Sequence, residues 1–177
     1  MTASLTPVRL GPQHAYSYRA LMLEAYELHP EAFTSSVAER AQLPLSWWED
    51  RLSESASPKE IVFGCLDKDK LCGVVGLSFD GREKARHKAT LFGMYVPARF
   101  RKSGLGSRLV QQALAYAKSR PGVLVVQLTV THGNLAAQLL YERHGFVQFG
   151  LEPLAVAVGP AFVSKSHMWC DLERKDS

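Results

Sequence analysis

Long apolar runs are missing from this chain: none approaches the ~18 residues that a membrane-spanning helix requires. The first residues, Met1-Thr2-Ala3-Ser4-Leu5, lack a basic stretch leading into an apolar segment, so no secretory signal is expected and the cytoplasm is the expected location. Cysteine is scarce, with three residues (Cys65, Cys72 and Cys170) and no CxxC pair. A disulfide framework and a cysteine zinc site are therefore not expected. His14, His29, His87, His144 and His167 show no metal-ligand spacing, so no metal is expected. Internal repeats, low-complexity tracts and Pro/Gly/Ser-rich linkers are also missing, and residues 1–177 are expected to form one domain.

Of the 177 residues, 46% are hydrophobic and 21% charged, which is ordinary for a globular chain. A net charge of +4 and a pI of about 9.0 point to an anionic partner of some kind. Nucleic acid, a membrane surface and a phosphorylated cofactor all fit that balance, and only the placement of the charge can choose among them.

The element pattern alternates in a way that predicts a mixed α/β domain. Thr6 to Leu10 reads as a short first strand. Pro12 suits the opening of a helix, and Tyr18, Leu21, Met22, Ala25 and Leu28 then recur at helical spacing. Pro30 ends that helix by His29; residues 31–36 read as a loop, and residues 45–52 as a second helical piece. Strands over 60–66 and 71–79 flank the polar turn Asp67-Lys68-Asp69-Lys70 as a hairpin. Ala89 to Val96 is the next strand. Leu109, Val110, Ala113, Leu114 and Ala117 give residues 105–118 one apolar face, as in a helix. The nearly continuous VLVVQLTV of residues 123–130 predicts a strand buried on both faces. A helix over 134–144, with Gly145 at its C-cap, and strands over 146–151 and 164–172 complete the chain.

The segment Arg101-Lys102-Ser103-Gly104-Leu105-Gly106-Ser107 leaves a strand and opens a helix. Two side chains without Cβ let backbone N–H groups come close to a ligand, and the first helical turn offers unpaired donors with a partial positive charge. This is a site for a pyrophosphate, flanked by Arg99, Arg101 and Lys102. The same glycines could instead serve only a tight strand-to-helix turn. A Walker A loop is excluded because no GK[ST] follows at the required spacing. A dinucleotide fingerprint lacks its third glycine and its acidic residue ~20 positions on.

These residues resemble those of a known family. Met94-Tyr95-Val96-Pro97, followed by Arg101, Gly104 and Gly106 in the pattern [RQ]-x-x-G-x-[GA], is similar to motif A of the GNAT acetyltransferases. Asn134-x-x-Ala137-x-x-Leu140-Tyr141-x-x-x-Gly145-Phe146 is similar to motif B, and the resemblance covers Ala89 to Leu151. It implies a GNAT fold: a mixed sheet of six to seven strands, about four flanking helices, and a splay between the fourth and fifth strands. It implies acetyl-CoA as cofactor, its pantetheine arm lying in the splay against the backbone of Met94, Tyr95 and Val96. The pyrophosphate would then sit on Lys102, Ser103, Gly104, Leu105, Gly106 and Ser107 beside Arg101, with Lys102 available to the 3′-phosphate.

The resemblance further implies direct attack of a primary amine, from a small molecule, an amino acid or a peptide, on the thioester. A backbone amide near Met94 or Tyr95 would face the developing oxyanion, and Tyr141 would be the general acid. Asn134, Ala137 and Tyr141 are spaced i, i+3, i+7 and share one helical face, which also allows Asn134 as an N-cap and Tyr141 as a core residue. Where some members carry a glutamate base, this chain has Thr90. Glu24, Glu31 and His132 are the remaining candidates for the general base. One tryptophan of the pair Trp47-Trp48 is expected in the core and the other could border the acceptor pocket. A non-catalytic acyl-CoA sensor is the alternative function, disfavoured by the presence of Tyr141. Basic residues gathered at a phosphate cradle leave no need for a nucleic-acid partner, no membrane partner is expected, and a homodimer remains open.

Overall fold

The computed structural model describes residues 5–173, which build a seven-stranded sheet between two helical layers. In chain order the elements are β1 (Val8–Arg9), α1 (Ala15–Leu28), α2 (Val37–Ala41), α3 (Leu45–Arg51), β2 (Glu60–Asp67), β3 (Lys70–Phe79), β4 (Lys88–Tyr95), α4 (Leu105–Ser119), β5 (Val125–Thr131), α5 (Leu135–Arg143), β6 (Val147–Val158) and β7 (Ala161–Asp171). The sheet order is β1-β2-β3-β4-β5-β7-β6, with β4 and β5 parallel and every other pair antiparallel. This is the mixed α/β architecture that the element pattern predicts. No helix among the described residues is long and apolar enough to cross a membrane.

Alternation along the strands feeds two cores. Ile61, Phe63 and Cys65 of β2 face one way and pack with Leu109, Val110, Ala113 and Ala117 of α4. Val62 faces the other way and packs with Tyr18, Leu21, Met22 and Ala25 of α1 and with Trp48. Leu28 keeps the helical spacing but lies at the exposed last turn of α1. The three cysteines are buried thiols; burial pushes Cys65 up to about 11.

Three features depart from the sequence reading, while the number of helices fits it. The segment after the first helix contains α2, opened by Ser36, whose Oγ accepts from the Glu39 amide at 3.2 Å while the Glu39 carboxylate accepts from the Ser36 amide at 3.0 Å. Counting α2, five helices flank the sheet, consistent with the expectation of about four. The last two strands run on into a long hairpin. Pro153, which argues against a strand, falls within the register shift between Glu152 and Val156, where a missing N–H breaks no ladder bond. Finally, β5 is not buried on both faces: Val126, Leu128 and Val130 are buried, but Thr129 is exposed and Gln127 and Thr131 are half-buried. Its second face borders an opening in the sheet.

Candidate active site

The opening begins where β4 and β5 part. Their pairing runs through Lys88↔Val125, Ala89↔Val126 and Thr90↔Gln127 and ends there. On its other side, between the pairs Gly76↔Phe92 and Val74↔Tyr95, β4 spends two residues (Gly93 and Met94) against one on β3 (Val75). That extra residue is a β-bulge, and it contains Gly93 at φ +58°, a conformation that favours glycine. The bulge bends β4 away from β5, so its backbone beyond Thr90 has no strand partner on that side. A cleft of about 440 Å³ fills the gap. It is bounded by Leu91 to Met94 on one strand and by Gln127 to Thr131 on the other.

Tyr141 reaches the cleft from α5, with Asn134 and Ala137 on the same helical face. Asn134 caps the helix, its Oδ1 accepting from the Ala137 amide at 3.2 Å, and it is also exposed to the cleft. The cap and lining roles therefore coexist. Tyr141 is 6% exposed, and its ring meets Phe146 edge-on at 5.7 Å. Its hydroxyl has no hydrogen-bond partner among the described residues. Burial pushes its phenol well above the usual range, so the group stays protonated and able to donate.

The glycine loop lies beside the cleft, since a Cβ on Gly106 would stand 3.3 Å from Met94, a lining residue. Gly104 is the N-cap of α4 at φ +78°, and Lys102 is also left-handed at φ +60°. The amides of Gly104, Leu105, Gly106 and Ser107 have no backbone acceptor among the described residues, as expected of a first helical turn. A Cβ on Gly104 would meet nothing nearer than Arg108 at 4.0 Å, so that position faces open space. A Cβ on Gly106 would lie 3.3 Å from both Leu140 and Met94, so Gly106 also lets α4 pack closely on α5 and β4. The Ser103 hydroxyl donates to the Phe100 carbonyl at 2.6 Å and folds the loop on itself. Ser107 Oγ lies 2.8 Å from His144 Nε2; burial holds His144 below its ordinary range, hence neutral and able to accept. Arg101 donates from Nε to the Val96 carbonyl at 2.9 Å and from its fork to His29 at 3.2 Å. The Val96 carbonyl is thus taken, which leaves its amide for a ligand.

The candidate bases do not converge on the cleft. Glu24 accepts from Tyr95 at 3.0 Å and pairs with Arg99 at 3.2 Å. The Glu31 carboxylate stands 3.8 Å from His29, while its carbonyl accepts from Thr131 Oγ1 at 2.9 Å. His132 is exposed, with Nδ1 3.2 Å from Ser166 Oγ. None of the three lines the cleft, whereas Thr90 does. Trp48 is in the core, and Trp47 sits between the guanidiniums of Arg40 and Arg51 at 4.6 Å each, lining a different surface depression.

Two lining residues come from β7, where sequence reading assigned His167 no role and did not weigh Lys165. The face of β7 that carries Met168 and Cys170 packs with the α4 side. Lys165 and His167 therefore project to the opposite face, paired with Thr131 and Thr129 of β5. His167 Nε2 lies 2.7 Å from the Glu152 carboxylate and its ring meets Phe149 edge-on at 6.0 Å. Nδ1 has no partner among the described residues. Lys165 donates to the Ala32 carbonyl at 3.3 Å, which holds a turn (Pro30–Ala32) against the cleft and brings Phe33 and Thr34 to its edge. The readable signal was Lys165-Ser166-His167, polar at both ends inside a strand whose inward face should have been apolar.

The fold is shared with known proteins. The model of the acetyltransferase (GNAT) family matches residues 22–146. The L-amino acid N-acetyltransferase AaaT of Escherichia coli K12 is 28% identical over 99 residues, 56% of this chain and 59% of that protein, so the match leaves a large part of both outside it. A GNAT-family acetyltransferase structure from Streptococcus pneumoniae superposes with a TM-score of 0.82 at 26% identity, over 95% of this chain and 99% of that one. The structure of yncA from Salmonella typhimurium, solved with its cofactor acetyl-CoA, superposes with a TM-score of 0.78 at 17% identity, over 99% and 98% of the two chains. Residues 22–146 take in the bulged β4, the glycine loop and the helix that bears Tyr141, and the chain belongs to the GNAT acetyltransferase family.

Proposed function

We propose that the protein transfers an acetyl group from acetyl-CoA to a primary amine by direct attack within a ternary complex. One observation carries the reading: the cleft opened by the parting of β4 and β5 holds the unpartnered hydroxyl of a largely buried tyrosine, and the unpaired amides that open α4 lie beside it, next to the lining residue Met94. A pyrophosphate fits the glycine loop because the amides of Gly104 to Ser107 lack acceptors and Gly104 faces open space. Lys102 and Arg101 add positive charge there. A cofactor with three phosphate groups accounts for the +4 balance without nucleic acid. The yncA structure, of the same fold, was solved with acetyl-CoA.

When bound, the cofactor supplies an activated acyl group on a thioester. The chain has to do three things around it. The β4 backbone beyond Thr90, lacking a strand partner, offers hydrogen bonds to an extended arm and, from the bulge at Gly93–Met94, a donor for charge on the acyl oxygen. Tyr141 holds a proton at its hydroxyl and delivers it to the departing sulfur. His167, oriented by Glu152 at 2.7 Å, presents Nδ1 to the cleft to take the proton that the amine loses. It stands in for Glu24, Glu31 and His132, which do not line the cleft. The reading treats residues 1–177 as a single acetyltransferase domain acting in the cytoplasm.

The test is binding first and turnover second. Coenzyme A at 100 times its dissociation constant stabilises the native state by about 2.7 kcal/mol, a rise in Tm of about 5–10 °C for a domain of this size. Thiol release from acetyl-CoA over a panel of amines then reads the transfer. A folded sample with no thermal shift at millimolar coenzyme A refutes the reading.

A further inference from the structure

Buried charge is costly unless it is paired. Lys165 is 7% exposed, lines the cleft, and has no carboxylate within ion-pair distance among the described residues. Its single bond, to the Ala32 carbonyl, uses one of three ammonium donors. The nearest candidate counter-charge, Glu152, stands directly opposite on β6 but gives its carboxylate to His167. The described cleft lining contains no acidic residue. Glu152 acts on Lys165 electrostatically from across the hairpin, but no carboxylate among the described residues bonds to it, so the cation faces the half of the cleft roofed by Phe33 and Thr34 with its pairing incomplete.

We propose that Lys165 is the receptor for a carboxylate on the acceptor, and that the acceptor is an α-amino acid with its carboxyl group free. The proposal rests on the acetyltransfer reading of the same cleft. Three features support it. Lys165 and His167 are two residues apart on one face of β7, adjacent places for a carboxylate and for the amine attached one carbon away. They project to the sheet face opposite α4 and α5, whereas the glycine loop belongs to the α4 side, so the charge sits apart from that loop. Apolar Phe33 and Phe149 border the same space and suit a side chain. Burial pulls the Lys165 ammonium below its ordinary range, Glu152 opposes that, and a bound carboxylate would favour the charged form further.

The experiment compares each of the twenty L-amino acids with its own amide, both with acetyl-CoA, by thiol release and product mass. The two compounds share amine and side chain and differ in the carboxylate. The wild type is expected to favour the best acid over its amide by about 10- to 100-fold in kcat/KM, the range of a charge-assisted contact in a desolvated site. Lys165→Met, which keeps the apolar stem, is expected to bring that ratio close to one, and Lys165→Arg to keep most of it. If Lys165 only ties down the turn at Ala32, Lys165→Met lowers Tm and leaves the ratio in place, which overturns the proposal. A wild type that acetylates amides as well as acids overturns it without any variant. If succinyl-CoA replaces acetyl-CoA with a gain that Lys165→Met abolishes, the carboxylate arrives with the donor: the acceptor assignment fails while acyl transfer stands. Failure of acetyl-CoA to bind at all would instead refute the underlying reading.

Discussion

Replacing Tyr141 by phenylalanine removes one oxygen from the centre of the cleft and leaves the ring and its edge-on contact with Phe146 in place. The hydroxyl has no partner among the described residues, so its loss orphans no buried donor or acceptor. The cost in stability should stay below about 1 kcal/mol, a Tm change of no more than about 2–4 °C. The cost in rate is separable. A general acid contributes about 10²-fold or more, equivalent to about 2.7 kcal/mol of barrier. The lower end of that range applies because a thiolate with a pKa near ~8.5 is already a fair leaving group. The assay is a single turnover, with enzyme in excess over acetyl-CoA and quenched on the millisecond scale, so that product release does not mask the chemical step. Coenzyme A affinity should be unchanged within about twofold. The pH dependence has a definite sign. An acid works while protonated, and burial raises this phenol, so its contribution is present at neutral pH and is lost only above the usual phenol range near ~10. A single-turnover rate within twofold of wild type in a folded Tyr141→Phe protein refutes the assignment and leaves Tyr141 as a packing residue.

Four further substitutions divide binding from proton transfer. Gly104→Ala puts a Cβ into open space but forces a left-handed residue, and should cost about 1–2 kcal/mol of stability while weakening coenzyme A in a titration. Gly106→Ala should weaken it mainly by pressing on Leu140 and Met94, each 3.3 Å from the new atom, so it should lower Tm even without ligand. Unchanged affinity in both variants would move the cradle elsewhere. His167→Gln should lower kcat/KM by about 10²-fold for a strongly basic amine. Glu152→Gln, which keeps a partner but removes its charge, should cost less. With an acceptor whose amine is already neutral at the assay pH, the His167→Gln loss should shrink; a loss of equal size for both amines would mean that His167 only shapes the cleft.

The parts of the fold legible in the sequence are those where local pattern and tertiary demand agree. The α4 face, the two-core alternation of β2 and β3 and the glycine loop are of this kind, because each is fixed by neighbours in the chain. The misreadings have the opposite cause. Residues 123–130 look uniformly buried because hydrophobicity reports what a residue can tolerate, not whether a partner strand continues beside it. The β4–β5 ladder stops at Thr90↔Gln127, and that break depends on a bulge in β4 and on pairing with β3 on its far side. The strand read over 146–151 runs on to Val158 through Pro153, because a bulge that accommodates proline is visible only once the partner strand is known. Ser36-x-x-Glu39 was readable as a helix start and was passed over, because five residues are too few for a periodicity to emerge.

The site divides along the same line. The residues proposed to meet the donor lie on one continuous stretch from β4 to α5, where backbone amides and glycine form a local pattern that could be read locally. The residues proposed to face the acceptor come from β5, from β7 and from the turn after α1, more than 130 positions apart at Ala32 and Lys165. Nothing in their spacing connects them. Glu24 and Glu31 were plausible bases because they lie near the acceptor region in sequence, yet Tyr95, Arg99 and His29 draw their carboxylates away from the cleft. His167 and Lys165 lie beyond the family match, which ends at residue 146. Lys165 is buried with Glu152 across the hairpin but with no carboxylate bonded to it, a place where an anionic ligand can complete the pairing. Core packing alone would have selected an apolar residue at 165. The ammonium that stands there instead is the strongest sign that this half of the cleft reads a charge.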